Sequence, residues 1–309
     1  MSIHLLQTYP MPESTENMLA ERFIVHKLHA ASEPHRLIDE VGGLVRAIAG
    51  IGVPKALMDR LSALEIIANF GVGYDSIDLP TAQARNIRVT NTPDVLSDAV
   101  AELTIGLMLS LARGLPLADR YVRDGLWPAG NLPIYREIGG YTLGIVGLGR
   151  IGKEIANRAQ AMKMRVVYHG RSRQPRQPYV FYGDLVEMAK DVDWLVAVTP
   201  GGPGTERLVS RKVLEALGPQ GMFVNVARGS VVDQDALIDL LATGRLGGAA
   251  LDVFDAEPEV PETLRSLENV VLSPHQGSAT KEARDAMGAL VVANLIAHFG
   301  GKPLLSQVA

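Results

Sequence analysis

The strongest structural signal in the chain is the run Leu143-Gly144-Ile145-Val146-Gly147-Leu148-Gly149-Arg150-Ile151-Gly152. An apolar, strand-like segment passes directly into a Gly-x-Gly-x-x-Gly hexad, and apolar residues at helical spacing follow it. Glycine at these three positions permits a tight turn, a close approach of the backbone to a pyrophosphate, and close packing of helix on strand. This context favours a dinucleotide-binding βαβ unit over a purely structural turn. The residues predicted to bind the dinucleotide are Gly147, Leu148, Gly149, Arg150 and Ile151.

A basic loop follows the next strand-like segment. In a site that prefers NAD, an Asp or Glu about 20 residues after the glycines accepts a hydrogen bond from the ribose 2′-hydroxyl. Here the segment ends at Gly170 without an acid, and Arg171, Ser172 and Arg173 follow. Two guanidinium groups beside a hydroxyl suit a 2′-phosphate, so we predict NADP(H) as the preferred cofactor, with NAD(H) possible. The alternative is a solvated basic loop without a ligand.

Apolar, strand-like runs alternate with helical stretches along the whole chain, which is typical of an α/β fold with parallel sheets. The runs are residues 3–6, 23–25, 44–48, 64–68 and 87–90 in one series, and residues 143–147, 165–168, 194–198, 222–226, 249–253 and 270–272 in a second. We predict two doubly wound parallel-sheet domains, with a Rossmann cofactor domain inserted into a flavodoxin-like substrate domain. The substrate domain comprises residues 1–95 plus 284–309, the NADP-binding domain residues 96–283. The helical pattern of residues 282–299 predicts that the chain crosses back and packs its tail on the first domain.

Composition excludes several classes of chemistry. The 309 residues contain no cysteine, so disulfides, thiolate nucleophiles and cysteine-ligated zinc or iron–sulfur sites are ruled out, and no metal site is predicted. A net charge of −4 argues against nucleic acid or an anionic membrane as partner. The most apolar run, residues 99–112, is interrupted by Glu102 and is shorter than the ~18 residues of a membrane span. Because this run is apolar on most faces, we expect it to be buried between domains or subunits. The N-terminal residues show no basic leader, so we expect a cytoplasmic protein.

Three candidate catalytic residues follow strand-like segments of the second series: Arg228, Glu257 and His275. Ligands of doubly wound folds bind at the carboxyl ends of the strands. A guanidinium there could hold a carboxylate and polarise a ketone, a histidine could protonate the forming alkoxide, and a glutamate could orient that histidine. Taken singly, the arginine and glutamate could be surface charges and the histidine could be structural.

An ordered set of motifs covers nearly the whole chain. The motifs are residues 69–75 (Asn-Phe-Gly-Val-Gly-Tyr-Asp), 91–96 (Asn-Thr-Pro-Asp-Val-Leu), the hexad 147–152, 225–229 (Asn-Val-Ala-Arg-Gly), 247–254 with Glu257-Pro258, and 273–278 (Ser-Pro-His-Gln-Gly-Ser). With them the chain resembles the D-isomer-specific 2-hydroxyacid dehydrogenase family, and within it the NADPH-dependent hydroxypyruvate, glyoxylate and hydroxyphenylpyruvate reductases. The resemblance implies reduction of a small 2-oxo acid (glyoxylate, hydroxypyruvate or an aryl pyruvate) to the D-2-hydroxy acid by hydride transfer from NADPH.

The resemblance also implies roles for single residues. Arg228 binds and polarises the substrate, Glu257 is the partner of the histidine, and His275 donates the proton. Val72 and Gly73 donate backbone N–H groups to the substrate carboxylate, although the same segment could be a plain strand-ending turn. Further residues implied at the cofactor are Thr199, Val226, Ala227, Arg228, Asp252 and His275.

Comparison with the family also singles out Trp127 and Gln276. Trp127 corresponds to an aromatic residue that, in related dimeric reductases, reaches towards the substrate pocket of the partner subunit; ordinary interface packing is the alternative, and a homodimer is expected in either case. Gln276 departs from the small or apolar residue that many relatives carry after the histidine, with little effect expected on the proton donor.

Other functions fit the same fold, because fold does not fix function. The main alternative is an NAD(P)-sensing, corepressor-like interaction protein. Formate- and phosphite-oxidising relatives fit the Arg171 loop and the motif set less well.

Overall fold

The computed structural model describes residues 2–309 and shows two compact α/β units. One contains the residues up to Leu96 together with Ser278–Ala309, and the other is Ser97–Gly277. The second unit is thus inserted into the first, as the sequence predicts. The expected division between residues 283 and 284 would cut the last helix, Lys281–Phe299, whereas the observed division comes ahead of it.

The first unit is built on a five-stranded parallel sheet with the order β2-β1-β3-β4-β5, the flavodoxin-like order. Its strands are β1 (His4–Gln7), β2 (Ile24–Lys27), β3 (Val45–Gly50), β4 (Ile66–Asn69) and β5 (Arg88–Thr90). Its helices ahead of the insertion are α1 (Glu13–Ala20), α2 (Pro34–Val41), α3 (Lys55–Asp59) and α4 (Leu79–Ala84). Strand β4 is buried at every residue, which explains why it reads as a continuous apolar run rather than an alternating one.

The second unit contains a seven-stranded parallel sheet with the order β12-β11-β10-β9-β6-β7-β8. Its strands are β6 (Thr142–Val146), β7 (Arg165–His169), β8 (Val180–Tyr182), β9 (Trp194–Ala197), β10 (Met222–Asn225), β11 (Gly248–Leu251) and β12 (Val270–Leu272). Its helices are α5 (Ser97–Arg113), α6 (Leu115–Arg123), α7 (Arg150–Ala161), α8 (Leu185–Asp191), α9 (Arg211–Leu217), α10 (Gln234–Ala242) and α11 (Glu262–Ser266). The order reverses between β6 and β9, so the switch point of this Rossmann sheet lies where the glycine hexad leaves β6.

Helix α5 contains the apolar run that the sequence predicts to be buried between domains or subunits, whereas the contacts that bury it in the structure lie within the second unit. It packs against α7 and places Val100, Leu107 and Met108 in the core, while Asp98 and Glu102 are exposed. Within residues 2–309 no single helix is long and apolar enough to cross a membrane; α5 and α6, bent by 62°, pass that test as a pair by length and composition only.

Helix α12 (Lys281–Phe299) returns the chain to the first unit, where it contacts α1 and β4. The tail beyond it runs beside β5, with the amide of Val89 donating to Ala309 and an antiparallel bridge between Thr90 and Gln307. The predicted packing of the tail on the first domain is confirmed.

Candidate active site

The glycine turn between β6 and α7 has the geometry that the hexad predicts. Gly147 has a φ of +102°, and its amide donates to the carbonyl of His169 at the end of β7. A Cβ at Gly152 would lie 2.3 Å from the carbonyl oxygen of Gly147, so only glycine fits there. Helix α7 begins at Arg150 without a side-chain cap. Because the N–H groups of a helix's first turn have no partner within the helix, this end of α7 suits an anion such as a pyrophosphate.

Thr199, in the loop after β9, packs directly against this turn. A Cβ at Gly147 would lie 2.8 Å from its Cγ2, and its buried hydroxyl has no hydrogen-bond partner within residues 2–309. Buried hydroxyls without a partner are uncommon, and a ligand is one way to satisfy them. The turn and Thr199 together fit a bound dinucleotide.

The basic loop after β7 is tied to the same turn. Gln174 donates its side-chain amide to the carbonyl of Leu148 at 2.7 Å, and its backbone amide donates to the hydroxyl of Tyr168, also at 2.7 Å. Arg171, Ser172 and Arg173 are exposed, and Gly170 is half-buried. The loop thus presents two guanidinium groups and a hydroxyl beside the glycine turn, where the sequence predicts a ribose 2′-phosphate.

His275 and Glu257 are in direct contact. The Nδ1 atom of His275 lies 2.7 Å from Oε2 of Glu257, and the other carboxylate oxygen accepts a hydrogen bond from the amide of Phe254 at 3.0 Å. The histidine is about half exposed, with 48% of its side chain accessible. With Nδ1 directed at a carboxylate, Nε2 is the ring nitrogen that can exchange a proton with a substrate.

Asp252, which follows β11, organises the loop that carries the histidine. Its buried carboxylate accepts hydrogen bonds from the hydroxyl of Ser273 at 2.6 Å and from the amides of Gln276 and Gly277 at 2.7 and 2.8 Å. Its carbonyl oxygen accepts from the amide of His275, whose φ is +52°. The resemblance implies that Asp252 lies near the nicotinamide; the structure adds that its carboxylate holds this loop. Gln276 contributes only its backbone N–H to that contact, which any residue except proline could supply.

Arg228 lies in the turn after β10, and the fully buried Asn225 shapes that turn. The Oδ1 atom of Asn225 accepts from the amide of Ala227 at 3.0 Å, while its Nδ2 donates to the carbonyl of Arg228 at 2.9 Å. Val226 donates its amide to Ala197 at the end of β9. Sequence reasoning missed the role of Asn225, although a polar residue that ends an apolar strand is a signal for such a turn.

The candidate catalytic residues therefore follow the carboxyl ends of neighbouring strands in the second sheet. Arg228 follows β10, Glu257 and Asp252 follow β11, and His275 follows β12. Val72 and Gly73 belong to the first unit, where they are half-buried after β4. Trp127 lies in a 3₁₀ turn and is 62% exposed.

Comparison with known proteins identifies the family. Residues 105–277 match the model of the D-isomer specific 2-hydroxyacid dehydrogenase, NAD binding domain. The chain is 44% identical to hydroxyphenylpyruvate reductase of Plectranthus scutellarioides and 46% identical to glyoxylate/hydroxypyruvate reductase A of Arabidopsis thaliana, with 99% of each chain covered in both cases.

Solved structures agree with this result. An NADPH-dependent glyoxylate/hydroxypyruvate reductase from Sinorhizobium meliloti, in complex with NADP and malonate, superposes with a TM-score of 0.93 at 40% identity, covering 100% of this chain and 97% of the other. A 2-hydroxyacid dehydrogenase from Ketogulonicigenium vulgare gives a TM-score of 0.92 at 42% identity, with 100% and 99% covered. The chain thus belongs to the D-isomer specific 2-hydroxyacid dehydrogenase family.

Proposed function

We propose that the protein reduces a small 2-oxo acid to the D-2-hydroxy acid with NADPH. The observation that carries this proposal is the contact between His275 and Glu257. These two residues follow β12 and β11, beside β10 and Arg228, on the same sheet whose strand β6 leads into the dinucleotide turn. When bound, the reduced nicotinamide supplies the hydride that adds to C2 of the substrate. The residues of the chain supply the proton, the orientation and the charge.

Each residue has a distinct task in this proposal. Nε2 of His275 donates a proton to the carbonyl oxygen as that oxygen gains negative charge. Glu257 holds Nδ1 and so fixes the orientation of the ring. Arg228 binds the carboxylate and polarises the ketone, because a guanidinium pairs strongly with carboxylate oxygens. The backbone amides of Val72 and Gly73, in the first unit, are proposed as donors to a carboxylate.

The substrate class follows from the relatives, which are named for glyoxylate, hydroxypyruvate and hydroxyphenylpyruvate. A panel of glyoxylate, hydroxypyruvate, phenylpyruvate and 2-ketogluconate, each assayed with NADPH and with NADH, tests the assignment. We expect at least one of these acids to be reduced, with D configuration at C2 for every product except glycolate, which has no stereocentre. Failure to reduce any of them with either cofactor would remove the basis of the proposal.

The relatives named above are reductases, and none of them supports the alternative of a corepressor-like nucleotide sensor. We also propose a cytoplasmic enzyme, which stays a prediction from the sequence.

Arg171 and Arg173 are expected to set the preference for NADPH. In the double variant Arg171→Ala, Arg173→Ala, KM for NADPH should rise about tenfold or more, because two charge-assisted contacts to the 2′-phosphate are lost. KM for NADH, which lacks that phosphate, should change little. Arg165→Ala is the matched control, since this exposed arginine lies at the opposite end of β7. Equal changes for both cofactors, or a wild-type enzyme that prefers NADH, would contradict this prediction.

We also propose a homodimer that uses the segment from α6 through Trp127 to Ile134. Its exposed apolar side chains are Leu115, Val122, Leu126, Trp127 and Ile134. Exposed apolar residues concentrated in one segment are typical of an interface. The proposal leaves Trp127 either beside the partner's pocket or in plain interface packing. Sedimentation should give the mass of two chains for the wild type and dissociation for Trp127→Glu, whereas a monomeric wild type would exclude the dimer.

A further inference from the structure

The carbonyl groups of Gly71, Val72 and Gly73, in the turn after β4, each accept a side-chain hydrogen bond from the first unit, and the carbonyl of Gly71 also accepts from the amide of Thr92 at 3.0 Å. Nδ2 of Asn69 donates to the carbonyl oxygens of Gly71 and Gly73, both at 2.9 Å. Nδ2 of Asn91 donates to the carbonyl oxygen of Val72, also at 2.9 Å. These two side-chain amides, here called the amide clamp, draw the carbonyl groups of the turn towards the body of the unit.

Holding the carbonyls fixes where the amides point. A trans peptide unit is planar, and its C=O and N–H point in opposite directions. The carbonyl of Gly71 shares a peptide unit with the amide of Val72, and the carbonyl of Val72 shares one with the amide of Gly73. The clamp therefore turns the amides of Val72 and Gly73 away from Asn69 and Asn91. Among the hydrogen bonds of residues 2–309, neither amide donates to a protein acceptor.

Asn69 is suited to this task by its place in the sheet. It is the last residue of β4 and is 1% exposed. Its Oδ1 atom is buried without a hydrogen-bond partner within residues 2–309, so the two bonds from Nδ2 alone orient the side chain. A flipped amide would set Oδ1 against two carbonyl oxygens, and aspartate would do the same, so neither could replace these bonds.

Asn91 is braced by the C-terminal segment. Its amide donates to the carbonyl of Ser306, and the hydroxyl of Ser306 donates back to the carbonyl of Asn91 at 2.6 Å. Asn294 of α12 in turn donates to the hydroxyl of Ser306 at 2.9 Å. The position of Asn91 therefore depends on the tail that returns to this unit.

We propose that Asn69 and Asn91 are positioning residues for the substrate carboxylate. By holding back the carbonyl oxygens of the turn, they aim the amides of Val72 and Gly73 at one anion and keep negative partial charge away from it. The inference rests on the proposed function, because it takes the substrate to be a carboxylate bound at this turn.

The variants Asn69→Ala and Asn91→Ala test the clamp without adding a charge that would itself repel the substrate. We expect KM for the 2-oxo acid to rise about tenfold or more in each, since loss of a buried donor frees the turn. Turnover at saturation should fall much less, and NADPH affinity should stay at the wild-type value. A merely structural role would lower thermal stability and the active fraction but leave KM unchanged.

Gln7→Ala is the matched control. Gln7 is a fully buried carboxamide at the end of β1 that donates to the carbonyl of Tyr9 at 3.0 Å, and its Oε1 atom is likewise buried without a partner in the described chain. The Gln7→Ala variant should have a lower thermal stability than the wild type but the same KM for the 2-oxo acid. An unchanged KM in both asparagine variants, or a rise in Gln7→Ala as large as theirs, would overturn the clamp.

A binding measurement separates this inference from the proposed function. Malonate, an unreactive dicarboxylate, is titrated into the isotope-labelled protein with NADPH present, and the amide resonances of Val72 and Gly73 are followed. We expect both to shift in the wild type, with a higher Kd in the folded asparagine variants. If the amide resonances shift in those variants with a Kd for malonate equal to that of the wild type, the clamp is overturned. It is also overturned if the resonances of Val72 and Gly73 do not shift in the wild type. A wild type that binds malonate here but reduces no 2-oxo acid contradicts the proposed function instead.

Discussion

Replacement of His275 by alanine is expected to lower kcat for 2-oxo acid reduction by about 10²- to 10⁴-fold, the usual contribution of a positioned general acid. Nδ1 of the histidine is engaged by Glu257 at 2.7 Å, so the ring is oriented with Nε2 free to protonate the substrate oxygen. Alanine removes that proton donor and leaves the glycine turn intact. Steady-state kinetics should therefore show the loss in kcat, while fluorescence titration shows NADPH binding close to that of the wild type.

His298→Ala is the matched control for this prediction. Nε2 of His298 lies 3.3 Å from a carboxylate oxygen of Glu65 in the first unit, so this variant also removes a histidine–carboxylate contact. Its kcat per folded molecule should stay near the wild-type value. Near-normal turnover in His275→Ala, or an equal loss in both variants, would rule out His275 as the proton donor.

The second large effect is expected at Asp252. Asp252→Ala leaves the hydroxyl of Ser273 and the amides of Gln276 and Gly277 without their acceptor. Because hydrogen bonds to a buried charged group contribute about 1.5–3 kcal/mol each, unfolding by denaturant should show a loss of about 3 kcal/mol or more. The freed loop also carries His275, so kcat should fall at least tenfold in the molecules that stay folded.

Ser273→Ala provides the graded comparison, because it removes one of these contacts and keeps both amide contacts. Its loss of stability should be about 1.5 kcal/mol, the lower end of the range for one such contact, because Ser273 is only half-buried, and the effect on kcat should be correspondingly small. If Asp252→Ala were no less stable than Ser273→Ala, the carboxylate would not hold the loop as described.

Much of the fold could be predicted because its signals are local. The glycine hexad combines a positive φ at Gly147 with a helix start three residues later, and both requirements are visible in the residue types. Strands β4 and β9 are buried at every residue, which is why they appear in the sequence as apolar runs without alternation. Strand β8 was not predicted because it is a three-residue strand at the sheet edge, with Val180 exposed and the other two residues half-buried.

The candidate site was predictable only in part. The positions of Arg228, Glu257 and His275 after successive strands follow from the parallel topology, since carboxyl ends meet at one sheet edge. The contacts of Asp252 and Asn69 do not follow from the topology. A carboxylate or a carboxamide can form hydrogen bonds with many backbone groups, and the residue type does not tell which of them it contacts. Asp252 binds residues 21–25 positions away in the chain, and only the folded structure brings these together.

The most direct test of the central claim is to mix the purified wild-type protein with NADPH and hydroxypyruvate and to follow the absorbance of the reduced nicotinamide. The account predicts continuous consumption of NADPH, mole for mole with a D-configured hydroxy acid that chiral chromatography identifies. Binding of NADPH without consumption, with this acid and with glyoxylate, phenylpyruvate and 2-ketogluconate alike, would contradict it.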